Sequence, residues 1–274
     1  MSVYPIVVNR LRIVEILEVV KESPTVNTFV FRDRLCGRAV PGQFVMVWIP
    51  GVDEVPMSLS GIGSDSVCSI SVHRVGEATE ALYRLMKGDC FGVRGPFGRG
   101  FSFEKQKVIV VGGGTGLAPL AALTDKLVEV DADVTVLFGA KTRDELLFYN
   151  RIGKTPSREA RVVAATEDGS FGFEGTVTDV AEETLEKEKF NMIYACGPEQ
   201  MMYKMFLLAE KHHTPIEVSL ERLMRCAIGL CGTCVIGKYR VCKDGPIFTG
   251  DQLKEVKDQF GRFKRDFNGN KITI

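Results

Sequence analysis

The run Val108-Ile109-Val110-Val111, followed at once by Gly112-Gly113-Gly114-Thr115-Gly116, constrains the fold of this 274-residue chain most tightly. Four consecutive β-branched apolar residues read as a strand covered on both faces, because a strand with one wet face would alternate. The glycines make a turn, and residues 117–130 then read as a helix. Strand, turn and helix in that order are the repeating unit of a parallel α/β sheet. Residues 134–138, 161–165, 191–195 and 216–220 read as further strands, with a helix from Pro198 to about residue 212.

The pattern upstream is different. Short segments rich in β-branched and aromatic residues, 26–31, 43–49, 66–73 and 89–93, are separated by Pro, Gly and Asp. That spacing predicts an antiparallel barrel or sandwich, with one short helix over 78–86. The expected fold class is therefore mixed β and α/β. A β-barrel domain spans 1–103, a parallel α/β domain 104–217, a small cysteine-loop module 218–254, and a polar tail 255–274. Hydrophobic residues make up 45%, enough for packed cores. Lys plus Arg equals Asp plus Glu, 35 each, so no nucleic-acid surface is expected. No apolar run approaches the roughly 18–20 residues of a membrane span. Residues 1–12 lack a basic segment followed by an apolar core, so no secretion signal is read and a cytoplasmic setting is expected.

Four of the eight cysteines form the pattern Cys226-x4-Cys231-x2-Cys234-x7-Cys242, while Cys36, Cys68, Cys90 and Cys196 are scattered. Clustered cysteines in such a chain point to a metal before a disulfide. The first three have the plant-type spacing of a [2Fe–2S] cluster, which needs four thiolates on two irons. The fourth lies closer than in plant-type ferredoxins. Gly229, Gly232 and Gly237 allow the chain to wrap tightly. A structural zinc site is the alternative, since it also takes four thiolates. Zinc sites more often pair two short knuckles, whereas three of these ligands share one glycine-bearing loop.

The glycine turn at Gly112, Gly113, Gly114, Thr115 and Gly116 opens a helix, where backbone N–H groups attract phosphate oxygens. It is not the G-x-G-x-x-G fingerprint, and a tight βα turn without a ligand is the plain alternative. Two further turns strengthen the nucleotide reading. Thr166-Glu-Asp168-Gly-Ser170 and Cys196-Gly197-Pro198 each follow a strand, at the sheet edge where such ligands bind. Cys196 also fits as a small buried residue at a strand end. No catalytic His or carboxylate pair stands out. His212 and His213 read as surface residues at a helix end.

Together these features resemble the ferredoxin–NADP reductase superfamily. The cysteine loop and the following Cys242-Lys-Asp-Gly-Pro-Ile-Phe248 narrow the likeness to the electron-transfer subunits of class 1B dihydroorotate dehydrogenases. The resemblance covers nearly the whole chain and implies FAD on the barrel. The flavin motif Arg-x-x-Ser falls on Val55-Pro56-Met57-Ser58, with Ser58 retained as a flavin contact and Val55 in place of the arginine. Val72-His73-Arg74 matches the next flavin-contacting strand, and Gly76-Glu-Ala78-Thr79 the phosphate turn. Arg74 or Thr79 is then the expected substitute for the missing arginine. Gly95-Pro-Phe-Gly98 matches the turn that closes the barrel. The glycine turn, Asp168 and the Cys196 turn would hold the pyridine nucleotide, with Cys196 near the nicotinamide. NAD is the implied nucleotide; Lys141 and Arg143 leave NADP open. The resemblance also implies a separate FMN-containing catalytic subunit in a heterotetramer, with electrons passing through the cluster and FAD to NAD+. Leu223, Met224, Ile228 and Leu230 are expected to surround the cluster and meet that partner. The small subunits of ferredoxin:NADP and sulfhydrogenase-type oxidoreductases share most of these motifs and are the competing assignment.

Overall fold

A computed structural model describes residues 7–152, 160–266 and 268–274. The N-terminal part is a closed barrel of β1 (Arg12–Ser23), β2 (Val26–Arg32), β3 (Phe44–Ile49), β4 (Asp53–Ile62), β5 (Val67–His73) and β6 (Cys90–Phe97). The strand order around it is β1-β2-β5-β4-β3-β6, antiparallel throughout. Strand β1 shows why it closes: Val14 and Ile16 are buried inside, while Ile13 and Glu15 face out. Ile16, Phe29, Phe31, Leu59, Ile70 and Phe91 fill the interior completely. A barrel packed with side chains has no room for a ligand, so any cofactor must lie on its outer face. Helix α1 (Glu77–Tyr83) covers one end and buries Leu82 in that core.

The second part is a seven-stranded sheet in the order β10-β9-β8-β7-β11-β12-β15. Its strands are β7 (Lys107–Gly113), β8 (Asp133–Ala140), β9 (Arg161–Thr166), β10 (Phe173–Glu174), β11 (Met192–Cys196), β12 (Ile216–Ser219) and β15 (Ile247–Thr249). All pairs are parallel except β12 with β15. Helix α2 (Leu117–Glu129) covers one face; α3 (Val177–Lys187) and α4 (Glu199–Lys211) cover the other. Val108 and Val110 pack toward α2, Ile109 and Val111 toward α3 and α4, so β7 is buried on both faces as its sequence implied.

The cysteine segment carries a small hairpin, β13 (Val235–Ile236) with β14 (Tyr239–Arg240), and then supplies β15 to the sheet edge. The last residues are not merely polar: Val256 and Phe260 are buried in the core below α4, with Phe260 edge-on to Tyr203 and Phe206. His212 is half-buried rather than on the surface, and its Nε2 has no hydrogen-bond partner among the described residues. No helix among the described residues is long and apolar enough to cross a membrane.

Candidate functional site

Strand order reverses between β7 and β11, since β8 and β9 lie to one side and β12 to the other. Ligands of open α/β sheets sit beyond the carboxyl ends of the strands at such a point. Gly112 and Cys196 are register partners there, so the two turns that follow stand side by side. Their approach requires glycine. A Cβ on Gly116 would lie 2.4 Å from the Cys196 carbonyl oxygen and 2.4 Å from the Gly197 nitrogen. Gly112 is pressed against Leu117, and Gly113 against Met201 and Pro198. Gly114 is different: its φ is +54° and a Cβ would meet nothing within 4 Å. Gly114 and the exposed Thr115 thus face the cleft, while the other three glycines serve packing.

Burial pushes the Cys196 thiol up to about 12, against a hydrogen bond with Ser219 and with help from the Glu221 carboxylate. It is a neutral thiol at ordinary pH and a poor nucleophile. Ser219 and Glu221 were not read from the sequence; Ser219 stands beside Cys196 because Ala195 and Val218 are register partners. Asp168 lies in the turn after β9, two strands from β7, and is exposed. Its Oδ1 accepts hydrogen bonds from the Ser170 hydroxyl at 2.6 Å and N–H at 3.0 Å, which hold the carboxyl below its usual range. Arg143 donates its N–H to the Ser170 hydroxyl and stacks its guanidinium 5.5 Å from the Phe171 ring centroid.

The barrel contributes the opposite wall. Val55, Pro56, Met57 and Ser58 on β4 are all half-exposed. Helix α2 packs along β4, the strand that carries Ser58, and the Gly114–Gly116 turn lies against β5. The structure corrects one expectation: Val72 is wholly buried in the barrel core, side chain and main chain alike. His73 and Arg74 are exposed. Arg74 lies 5.0 Å from the Tyr83 ring centroid and 3.5 Å from Glu80. The Thr79 hydroxyl accepts from the N–H groups of Val75 and Gly76 and donates to the Gly76 carbonyl, each at 2.9 Å. Thr79 is thereby spent on capping α1, whereas Arg74 is held through exposed contacts with Glu80 and Tyr83. Gly76 is exposed, and Ala78 packs on the barrel core.

The four clustered sulfurs approach in two pairs. Cys226 accepts the N–H of Leu230 at 3.3 Å and of Cys231 at 3.4 Å, and its thiol contacts that of Cys231. Cys234 accepts the N–H of Cys242 at 3.4 Å and hydrogen-bonds its thiol. That bond holds Cys234 at about 6 despite burial, and raises Cys242. Burial pushes Cys231 up, but hydrogen bonds from Thr233 and Cys226 bring it to about 7. Ala227, Gly229, Gly232 and Gly237 all have positive φ, which is how the loop turns its N–H groups onto sulfur. Among the described residues no three ligating side chains gather around one point. Four cysteines on one glycine-bearing segment, with backbone N–H groups turned onto sulfur, suit a [2Fe–2S] cluster. Cys234 and Cys242 are buried, while Cys226 is half-buried and Cys231 exposed, so one end of the site reaches solvent. Of the apolar residues expected around it, Met224 is buried and Leu223 half-buried; Ile228 and Leu230 are exposed. The module is also fixed to the barrel: the Arg99 N–H donates to the Gly245 carbonyl at 2.6 Å, and Gly98 lies against Pro246.

A packed barrel abutting a nucleotide-type sheet, with a four-thiol loop at its edge, defines a reductase of the flavin and iron–sulfur class. Residues 110–205 match the oxidoreductase NAD-binding domain, and 221–254 the iron–sulfur cluster binding domain of dihydroorotate dehydrogenase B. The chain is 44% identical to the probable dihydroorotate dehydrogenase B (NAD(+)) electron transfer subunit of Methanocaldococcus jannaschii, over 95% of this chain and 97% of that one. It is 41% identical to the protein of that name from Methanothermobacter thermautotrophicus, over 95% and 96%. Among solved structures it resembles an NADH-dependent reduced ferredoxin–NADP oxidoreductase, with TM-score 0.77, 29% identity, and 90% and 92% of the chains covered. A ferredoxin–NADP+ reductase from Neisseria gonorrhoeae, 16% identical with TM-score 0.63 over 74% and 91%, shares the fold. The chain belongs to the family of dihydroorotate dehydrogenase B electron transfer subunits.

Proposed function

We propose that this chain carries electrons from an FMN-containing subunit that oxidises dihydroorotate, through a [2Fe–2S] cluster and FAD, to NAD+ in pyrimidine biosynthesis. FAD exchanges two electrons as hydride and gives them up singly, while an iron–sulfur cluster carries one at a time. The protein's part is positioning rather than acid–base chemistry. Ser58 and Arg74 hold the flavin against the barrel's outer face, and Gly114 with Thr115 receives the nucleotide phosphates at the head of α2. Asp168 and the Cys196 turn border the nucleotide, with the neutral Cys196 thiol packed beneath its reactive end. Cys226, Cys231, Cys234 and Cys242 hold the two irons, and the Cys226–Cys231 edge faces the partner.

The observation that carries this reading is the four-cysteine loop whose backbone N–H groups turn onto sulfur and whose Cys231 reaches solvent, in a chain 44% identical to a relative bearing that name. The likeness to the ferredoxin–NADP oxidoreductase favours a second reading, in which ferredoxin or NADP takes part. Reconstitution separates the two. The purified chain is mixed with the FMN subunit, and dihydroorotate-dependent NAD+ reduction is followed. Turnover supports the first reading. Reduction of NADP+ by ferredoxin alone would favour the second, and protein lacking iron and acid-labile sulfide would sink both.

A further inference from the structure

We propose that the catalytic partner docks not on the cysteine loop alone but on a continuous apolar strip running from that loop along the flank of the barrel. This rests on the electron-transfer reading above and identifies the surface that serves it. At one end, Val8, Phe97, Gly98, Ala227, Ile228 and Cys242 line an open cavity of about 210 Å³ with Lys243 at its edge. One wall therefore contains a cluster ligand and another a residue of the N-terminal segment. Beyond Val8 the same segment exposes Val7, Leu11 and Ile13, the last 60% accessible. Leu11 and Trp48 close over Gly92, where a Cβ would lie 2.8 Å from each, and Ile13 is the register partner of Gly92. On the loop side Ile228 is exposed and Leu230 is 80% accessible, next to the half-buried Cys226 and the exposed Cys231.

Large apolar side chains exposed singly need no explanation, but a contiguous run rimmed by charge marks a binding surface. Two features select the occupant. The strip is continuous with the solvent-facing end of the sulfur site, where an electron donor must come close. Its edge is basic, through the exposed Arg225 and Lys243. The partner that fits offers an apolar side chain for the cavity, further apolar surface for the barrel flank, and carboxylates opposite the two cations. Such an interface has an apolar centre and a charged rim, and its association weakens with salt.

The test uses the chain loaded with FAD and cluster, the separately purified FMN subunit, and three variants. Ile13→Asp places a charge on the barrel flank of the strip, and Val7→Asp one beside the cavity residue Val8. Val20→Asp places one at the far end of β1, where Val20 is also exposed. Ile13→Asp and Val7→Asp are expected to raise the dissociation constant for the FMN subunit at least tenfold by sedimentation. Dihydroorotate-dependent NAD+ reduction should fall with them, while iron, FAD content and NADH–ferricyanide activity stay at the parent level. Val20→Asp should bind like the parent. Parent-like binding by both strip variants would overturn the proposal. So would an effect confined to self-association of this chain, which would assign the strip to a second copy. A parent chain that never binds the FMN subunit would instead overturn the functional reading, and the partner's place on the strip with it.

Discussion

Arg222 clasps Glu199 through two hydrogen bonds, Nη1 to Oε2 at 2.6 Å and Nη2 to Oε1 at 2.8 Å, with both side chains more than nine-tenths buried. Glu199 opens α4 directly after the Cys196 turn, and Arg222 lies four residues before Cys226. Glu199 also accepts the Gly261 N–H at 2.9 Å, and Gln200 donates to the carbonyls of Gly261 and Ile274. One ion pair thus ties the nucleotide turn, the cysteine loop and the C-terminal hairpin β16 (Phe263–Arg265) and β17 (Lys271–Thr273) together. Removing one member leaves a buried charge without its partner, at a cost of about 3–5 kcal/mol. Arg222→Met is expected to lose stability on that scale in chemical denaturation. The double variant Glu199→Met/Arg222→Met should lose less than Arg222→Met, because no charge is stranded.

Two glycines of the same turn should respond in opposite ways. Gly116→Ala drives a methyl into the Cys196 and Gly197 backbone, which has no rotamer with which to yield. It should push the turns apart and lower the melting temperature by several degrees. Gly114→Ala meets open space and costs about 1 kcal/mol for its positive φ. In the proposed nucleotide site its methyl would occupy the surface a phosphate approaches. The expected result is near-parent melting, parent FAD content, and an NADH dissociation constant raised about tenfold by titration.

The parts of this fold legible in the sequence are those decided locally. Strand β7 is apolar on both faces because both faces are covered, and the cysteine spacing is local by nature. Strand β1 was not read, because Arg12, Glu15, Glu18, Lys21 and Glu22 give it a charged outer face over twelve residues. Strand β4 was missed because Pro56 and Gly61 break its pattern; barrel neighbours, not propensity, hold it. The antiparallel edge strand β15 has three residues, too few to register as a pattern. The division of the cysteines into a buried and an exposed pair depends on how the loop folds back on the barrel. The Arg222–Glu199 pair joins residues of two segments that meet only because β11 and β12 are neighbours. Thr79 was legible as a polar residue at a turn, but its cap bonds were not.

The Asp33 carboxylate gives the fold a pH dependence of known sign. It accepts from Arg12 Nε at 2.6 Å and from the N–H groups of Leu35 and Cys36 at 3.0 and 2.8 Å. Burial raises its pKa, but the Arg12 and Cys36 bonds outweigh burial and hold it below 3.8. A depressed folded pKa gives stability that is complete above the unfolded value, about 3.9, and lost as pH falls through the lower folded value. Asp33→Asn should cost about 2 kcal/mol near neutrality, as for hydrogen bonds to a charged group. The gap between variant and parent should narrow as pH falls below about 5 and on through the lower folded value, seen as converging denaturation midpoints. A gap independent of pH would mean that the ionised form adds nothing.

In the proposed flavin site, where Val55 stands at the arginine position of the motif, a specific demand falls on Arg74. A dinucleotide flavin brings two phosphate charges, and anions of that kind are held by cations and N–H groups. Thr79 is engaged on its own helix cap, whereas Arg74 sits at the barrel edge with Glu80 and the Tyr83 face as its contacts among the described residues. Its guanidinium can leave an exposed pair of that kind for a phosphate at little cost, since such pairs are worth about 0–1 kcal/mol. Arg74→Ala should raise the FAD dissociation constant at least tenfold, about 1.4 kcal/mol, as read by flavin fluorescence on titration. Arg74→Lys should recover part of the loss, because charge is kept but the planar fork is not. Val55→Arg on the Arg74→Ala background should restore affinity from the neighbouring wall of the same site. Unchanged affinity in Arg74→Ala would mean that the phosphates are held by backbone N–H groups at Gly76 and beyond, and that the lost arginine was never replaced.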